Sequence, residues 1–328
     1  MKKITALLLA LFMLVGALAG CGKQNDTNQT DKLSIVTTIF PEYDWVREIL
    51  GEKADNAEIT MLLDNGVDLH SYQPTADDIV KISDCDLFIY VGGESDEWVE
   101  DALRNAANRN MKVINLLEVL GDSVKTEEIV EGMQEAEHEH EDAEEHEHEE
   151  EADEHVWLSL KNAKMLVRVI SKALQELDPD NKDIYAANAD AYVKKLSALD
   201  AEYQAAVDAA SNKTILFGDR FPFRYLVDDY GLRYYAAFVG CSAETEAGFE
   251  TISFLAKRVD EWKLPCVLTI EGAQHKIAET VVRNTTAKNQ RVLTMDSMQS
   301  TTSKDVKNGT TYLSVMEKNL SVLKEVLR

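Results

Sequence analysis

The chain has 328 residues, 45% of them hydrophobic, and a formal net charge of −25. The apolar fraction is that of a soluble globular protein, and the length suggests two domains once a leader is removed. Such a negative balance argues against nucleic acid or an anionic membrane face as partner, and makes cations the natural ligand class.

The chain opens on a secretory signal. Lys2 and Lys3 form a positive n-region, residues 4–18 form an apolar h-region, and Leu18-Ala19-Gly20-Cys21 follows. The segment is too short to act as a stable spanning helix. Its last four residues resemble a bacterial lipobox, which implies removal of 1–20, diacylglyceryl modification of Cys21 and a lipid anchor on the outer face of the cell membrane. Residues 21–31 then read as a polar, flexible tether. Three further cysteines, Cys85, Cys241 and Cys266, are an odd number for an extracytoplasmic protein, so at least one thiol is free or metal-bound.

From residue 32 strands and helices alternate. Strands are expected over 32–39, 57–63, 87–91 and 112–116. Helices are expected after Pro41, after an N-cap at Thr75 with Asp78 in the capping-box position, and over 97–109. The run 135–154 interrupts this pattern. It holds thirteen Asp and Glu residues, with His138, His140, His146 and His148 among them, and no Lys or Arg. Without those thirteen charges the chain would still carry −12. So dense a run of like charge cannot form a packed core. Imidazole and carboxylate together attract borderline divalent metals, zinc first. The run ends on His155, where Val156, Trp157 and Leu158 restore an apolar pattern. The whole segment 131–154 is therefore expected to be a disordered, metal-attracting loop in a first lobe spanning 32–178.

Ser159 caps a helix reaching residue 177, and Asp178-Pro179-Asp180 breaks it. A long helix follows over 182–209, free of Gly and Pro, within a linking segment 179–210. The βα alternation resumes over 211–328, with strands at 214–217, 232–238, 267–270 and 291–295. The expected fold is α/β: two βα lobes with parallel sheets, joined by one long rigid helix, with a metal cleft between them. Ligands of open βα sheets bind beyond the carboxyl ends of the strands. Such ends carry His70, Cys241, Glu244, Glu271 and Asp296, while His155 follows the acidic run. Two imidazoles with carboxylates or a thiolate suit zinc, with manganese the alternative.

These residues resemble the metal-specific solute-binding lipoproteins of ABC importers, the zinc and manganese class. His70-Ser71-Tyr72-Gln73-Pro74-Thr75 resembles the family's His-x-(Tyr/Phe)-x-Pro-(Ser/Thr) segment, and Asp153-Glu154-His155-Val156-Trp157-Leu158 its Asp-Pro-His-x-Trp-Leu segment. Each of those histidines is a metal ligand in the family. Leu293-Thr294-Met295-Asp296 matches the strand end that carries a carboxylate ligand, and a His- and acid-rich loop is typical of zinc importers. Phe217-Gly218-Asp219-Arg220-Phe221 resembles the family's His-Asp-Ala-Phe segment, but the third histidine falls on Gly218. Cys241 is the first substitute as third ligand, with Glu244, Glu271 and His275 as alternatives; Arg220 opposes a cation unless it pairs with Asp219 or Asp296. The resemblance implies a monomeric receptor, anchored by lipid alone, that hands Zn2+ to an ABC permease. A secreted metalloenzyme on the same scaffold is the rival class, but the chain holds no His-Glu-x-x-His and no Gly-x-Ser-x-Gly.

Overall fold

The computed structural model describes residues 32–134, 151–242, 246–272 and 275–328. The signal segment, Cys21, Glu244 and the four histidines 138, 140, 146 and 148 lie outside the described residues.

The first sheet has four parallel strands: β1 (Leu33–Thr37), β2 (Ala57–Met61), β3 (Leu87–Tyr90) and β4 (Lys112–Asn115), in the order β2-β1-β3-β4. Its crossovers are α1 (Phe40–Leu50), α2 (Ala76–Asp84) and α3 (Trp98–Arg104), and the short α4 (Leu116–Leu120) follows β4. Pro41 sits in the first turn of α1, where its missing N–H costs nothing, and Gly51 closes the helix at φ +55. Thr75 and Asp78 form the expected reciprocal capping box on α2. Ile35, Phe88 and Ile89 are fully buried because helices cover both faces of the sheet.

Two helices follow the first sheet, and the second and longer of them joins the halves. α5 (Leu160–Leu177) is capped by the Ser159 side chain, which accepts from the Asn162 N–H. α6 (Lys182–Asp208) runs 27 residues, about 40 Å at 1.5 Å per residue. Tyr185, Ala189, Tyr192, Leu196, Leu199, Tyr203 and Val207 are its buried stripe, the residues that recur every three or four positions.

The second half has β5 (Thr214–Leu216), β6 (Arg220–Phe221), β7 (Arg233–Tyr235), β8 (Phe238–Val239), β9 (Cys266–Thr269) and β10 (Arg291–Thr294). β5 pairs with β7 and β9 with β10, all parallel, and a Phe217–Leu268 bridge joins the two ribbons. The strand expected over 232–238 is broken into β7 and β8, since β8 leaves β7 to pair with β6. Helices α7 (Arg224–Tyr230), α8 (Phe249–Trp262), α9 (Lys276–Asn284), α10 (Ser303–Lys307) and α11 (Tyr312–Val326) complete it. α11 is not confined to the second half. The Tyr312 hydroxyl donates to the Trp157 carbonyl at 2.7 Å, and its N–H donates to Asp44 of α1 at 2.9 Å. One buried cluster thus runs through the first sheet, α5, α6 and α11, while a smaller one lies under α8 and α9.

The ends of the acidic segment are ordered, contrary to expectation for 131–134 and 151–154. The Gln134 N–H donates to Ala237, Glu131 pairs with Arg258, and Glu127 and Asp153 bond across to the partners Glu151 and Lys125. Each of these ends finds a hydrogen-bond or charge partner that the sequence run itself does not supply. Among the described residues no helix is long and apolar enough to cross a membrane.

Candidate metal centre

His70 sits in a single helical turn, Leu69–Ser71, after β2. The Asp68 side chain caps that turn by accepting from the His70 N–H at 3.1 Å. His155 opens the turn Val156–Leu158, whose three residues are all buried, and its own ring is fully buried. The two Nε2 atoms face each other at 3.2 Å.

The far side of each ring is occupied. His70 Nδ1 lies 2.8 Å from Ser95 Oγ and 3.4 Å from Glu154 Oε2; Glu154 in turn accepts from the Ser95 N–H at 2.9 Å. His155 Nδ1 lies 3.0 Å from Asp153 Oδ1, which also accepts from the His155 N–H. A carboxylate beside Nδ1 favours the tautomer with its proton there and leaves Nε2 as a lone pair. Two lone pairs at 3.2 Å cannot hydrogen-bond each other. Two imidazoles on one tetrahedral zinc, at Zn–N of 2.0–2.1 Å, stand about 3.4 Å apart. The observed spacing is therefore that of two ligands sharing one small cation.

Burial works against charge on His155, but Asp153, with Glu154 and Asp68, raises its pKa above the ordinary histidine value. Burial likewise works against ionised Glu154, yet its bonds to His70 and Ser95 hold it below the usual glutamate range.

The second half brings Cys241. Among the described residues the one group of three or more metal-ligating side chains with ligand atoms mutually within 4.8 Å is His70, His155 and Cys241. The Cys241 N–H donates to Glu127 Oε1 at 2.9 Å, which fixes the loop after β8. Burial, Glu127, Asp153 and Glu154 all push the thiol pKa up, so the thiolate forms only when a cation arrives to stabilise it. Gly240 makes the approach possible: a Cβ there would stand 2.9 Å from His155 Cε1 and 3.0 Å from its Nδ1.

The strand-end acids take other work. Glu271 accepts from the Ser297 N–H (2.6 Å), the Ser297 hydroxyl (2.7 Å) and the Gln299 N–H (3.0 Å). Asp296 accepts from the Met298 N–H, while Asn319 of α11 bonds both its N–H and its carbonyl. Burial and the neighbouring Glu271 push the Asp296 carboxyl up to about 6. These bonds hold the loop 296–299, including Met298 at φ +65, a conformation L-residues resist. Neither acid joins the histidine group, because each is turned toward its own loop. His275 is elsewhere too, with Nδ1 3.1 Å from Thr269 Oγ1.

Gly218 has a steric reason. A Cβ there would lie 2.5 Å from Ala278 Cα and 2.8 Å from its nitrogen, so α9 occupies the space a side chain needs. The Arg220 guanidinium pairs with neither Asp219 nor Asp296, although the Arg220 N–H donates to Asp219 Oδ1. Its Nη2 lies 2.6 Å from Asp68 Oδ2, and its Nη1 donates to the Ser242 carbonyl at 3.3 Å. Burial alone would raise the Asp68 carboxyl, but Arg220 and the His70 contacts bring it below its ordinary value. Sequence reasoning missed Ser95, Glu127, Gly240 and the Asp68–Arg220 pair. Only the acids Asp153 and Glu154, immediately before a candidate ligand, were a usable signal of carboxylate support.

The family model described as zinc-uptake complex component A, periplasmic (ZnuA) matches residues 35–326. The high-affinity zinc uptake system protein ZnuA of Bacillus subtilis is 32% identical over 322 residues, covering 97% of this chain and 95% of its own length. The zinc-binding lipoprotein AdcA of Streptococcus pneumoniae is 34% identical over 99% of this chain, but the match spans only 61% of that longer protein. Among solved structures, the Zn(II)-bound ZnuA-like domain of that AdcA superposes with a TM-score of 0.68 at 30% identity, over 90% of this chain and 99% of the domain. The metal-dependent lipoprotein YcdH of B. subtilis gives 0.72 at 25% identity, over 90% and 99%. With a family model covering nearly all the described residues and a relative matched almost end to end, the chain belongs to the ZnuA family.

Proposed function

We propose that the chain is the extracytoplasmic receptor of an ABC importer, that it captures Zn2+ between His70, His155 and Cys241, and that it delivers the ion to a permease. The observation that carries this reading is the pair of Nε2 atoms 3.2 Å apart with both Nδ1 atoms lodged against polar or ionised oxygens. The family description and the relatives' names, which speak of zinc uptake and zinc binding, support the same cargo. A thiolate as third ligand is soft and favours zinc over manganese, which prefers oxygen. Asp296 and Glu271, the oxygen ligands expected at the strand ends, are engaged by backbone N–H groups instead. The role is capture and release, not catalysis. Lipid at Cys21 would keep the receptor at the membrane face, and the histidines of 138–148 would gather zinc near it.

Zinc titration with metal analysis tests this. The chelator-stripped protein is expected to hold one tight zinc, and to keep it when residues 136–152 are deleted. His70→Ala and His155→Ala should each abolish it. Tight binding that survives both substitutions would overturn the reading.

A further inference from the structure

The two histidines come from the first half of the molecule and Cys241 from the second, so some contact must hold the halves in register around the ion. We infer that Arg220 and Asp68 are positioning residues that lock the histidine side of the metal site to the cysteine side. This inference rests on the zinc-receptor reading above. One guanidinium reaches both sides: Nη2 to Asp68, whose other oxygen caps the His70 turn, and Nη1 to the carbonyl of Ser242, the neighbour of Cys241. Strand β6 and the loops that carry His70 and Cys241 thus meet on one ion pair. Both members of the ion pair are largely shielded, at 18% and 23% exposure. A shielded, two-point guanidinium contact fixes geometry better than an exposed ion pair does.

Charge alone makes the opposite forecast. A cation beside a dication should weaken binding, so removing Arg220 would tighten the site if the residue acted only through its charge. Positioning predicts a loss, and the sign of the effect separates the two.

The experiment measures zinc affinity by chelator competition, and zinc release by stopped flow, for the full chain and for Arg220→Ala. Cobalt(II) spectra of both serve as a readout of ligand geometry. We expect Arg220→Ala to weaken zinc by about tenfold, the range found for residues that orient metal ligands, mostly through faster release, with an altered cobalt d–d spectrum. Unchanged or tighter binding would overturn the inference. Should Arg220→Ala fail to fold, Arg220→Lys carries the test. An ammonium keeps the charge but cannot span Asp68 and the Ser242 carbonyl together, so a several-fold loss is expected, and wild-type affinity and release would overturn the inference. Cys241→Ser, run in parallel, separates the two levels. If it leaves zinc and cobalt binding untouched, the ligand assignment itself has failed. If it does not, and Arg220→Ala matches wild type, the lock alone has failed.

Discussion

The two sides of the metal site are built by different means. On the histidine side each ligand is backed by an acid: Glu154 and Ser95 behind His70, Asp153 behind His155, and the buried Asp96 holding the Gly92 N–H of the loop that carries Ser95. On the cysteine side space decides. Gly240 lets the chain pass against the His155 ring, and Gly218 lets α9 pack where the family places a third histidine. The first side is held by hydrogen bonds, and the second is shaped by the absence of a Cβ. On the proposed reading, Cys241 stands in for a side chain that α9 leaves no room for at Gly218.

The largest effect is expected where the two sides touch. Gly240→Ala puts a methyl group within 3.0 Å of the His155 ring. It should push Cys241 away and cost zinc affinity tenfold or more, with about 1–3 kcal/mol of stability, the usual cost of overpacking a filled site. Competition titration and thermal melts would show it. Wild-type affinity in that variant would break the comparison.

The next substitution tests whether Gly218 is a vacancy or a packing solution. Restoring the family residue by Gly218→His should give no gain in zinc affinity, a loss of again about 1–3 kcal/mol of stability and hence a lower Tm, because Ala278 fills the site. Tighter zinc binding would show that α9 yields and that the third histidine position is still open.

A smaller effect concerns the acids of the histidine side. Burial, with repulsion from Glu154, raises Asp96 from 3.8 to about 7. A carboxyl whose folded pKa lies above its unfolded value favours folding while protonated. Its contribution is present below about pH 4 and is lost as pH rises toward 7, at up to about 1.4 kcal/mol per pH unit. Asp96→Asn removes that dependence. Relative to wild type, its Tm should therefore rise between pH 5 and pH 8. Parallel melting curves for the two proteins would contradict the account.

Most of the architecture was legible because it rests on local signals. The β-branched runs, Pro41, the Thr75–Asp78 cap, Ser159 and the Asp178-Pro179 break all sit where the elements begin or end. His70 and His155 were legible through their motifs, and Cys241 through its place after a strand of the second half. What was not legible is where three further side chains point. Asp296 and Glu271 do follow strands, but the Glu271 carboxylate turns to Ser297 and Gln299, 26 and 28 residues on, and the Asp296 carboxylate to the Met298 N–H in a loop that Asn319 holds by the backbone. Asp219 and Asp296 were the partners named as able to neutralise Arg220, yet its partner is Asp68, 152 residues earlier. A strand-end position narrows where a side chain starts, and only the packed loops decide where it points.

The most direct test of the central claim is X-ray absorption at the zinc edge on the loaded protein lacking 136–152. The account predicts one sulfur at about 2.3 Å with two imidazole nitrogens at about 2.0–2.1 Å, and loss of the sulfur shell in Cys241→Ser. A shell of nitrogen and oxygen alone in the unsubstituted protein would contradict it.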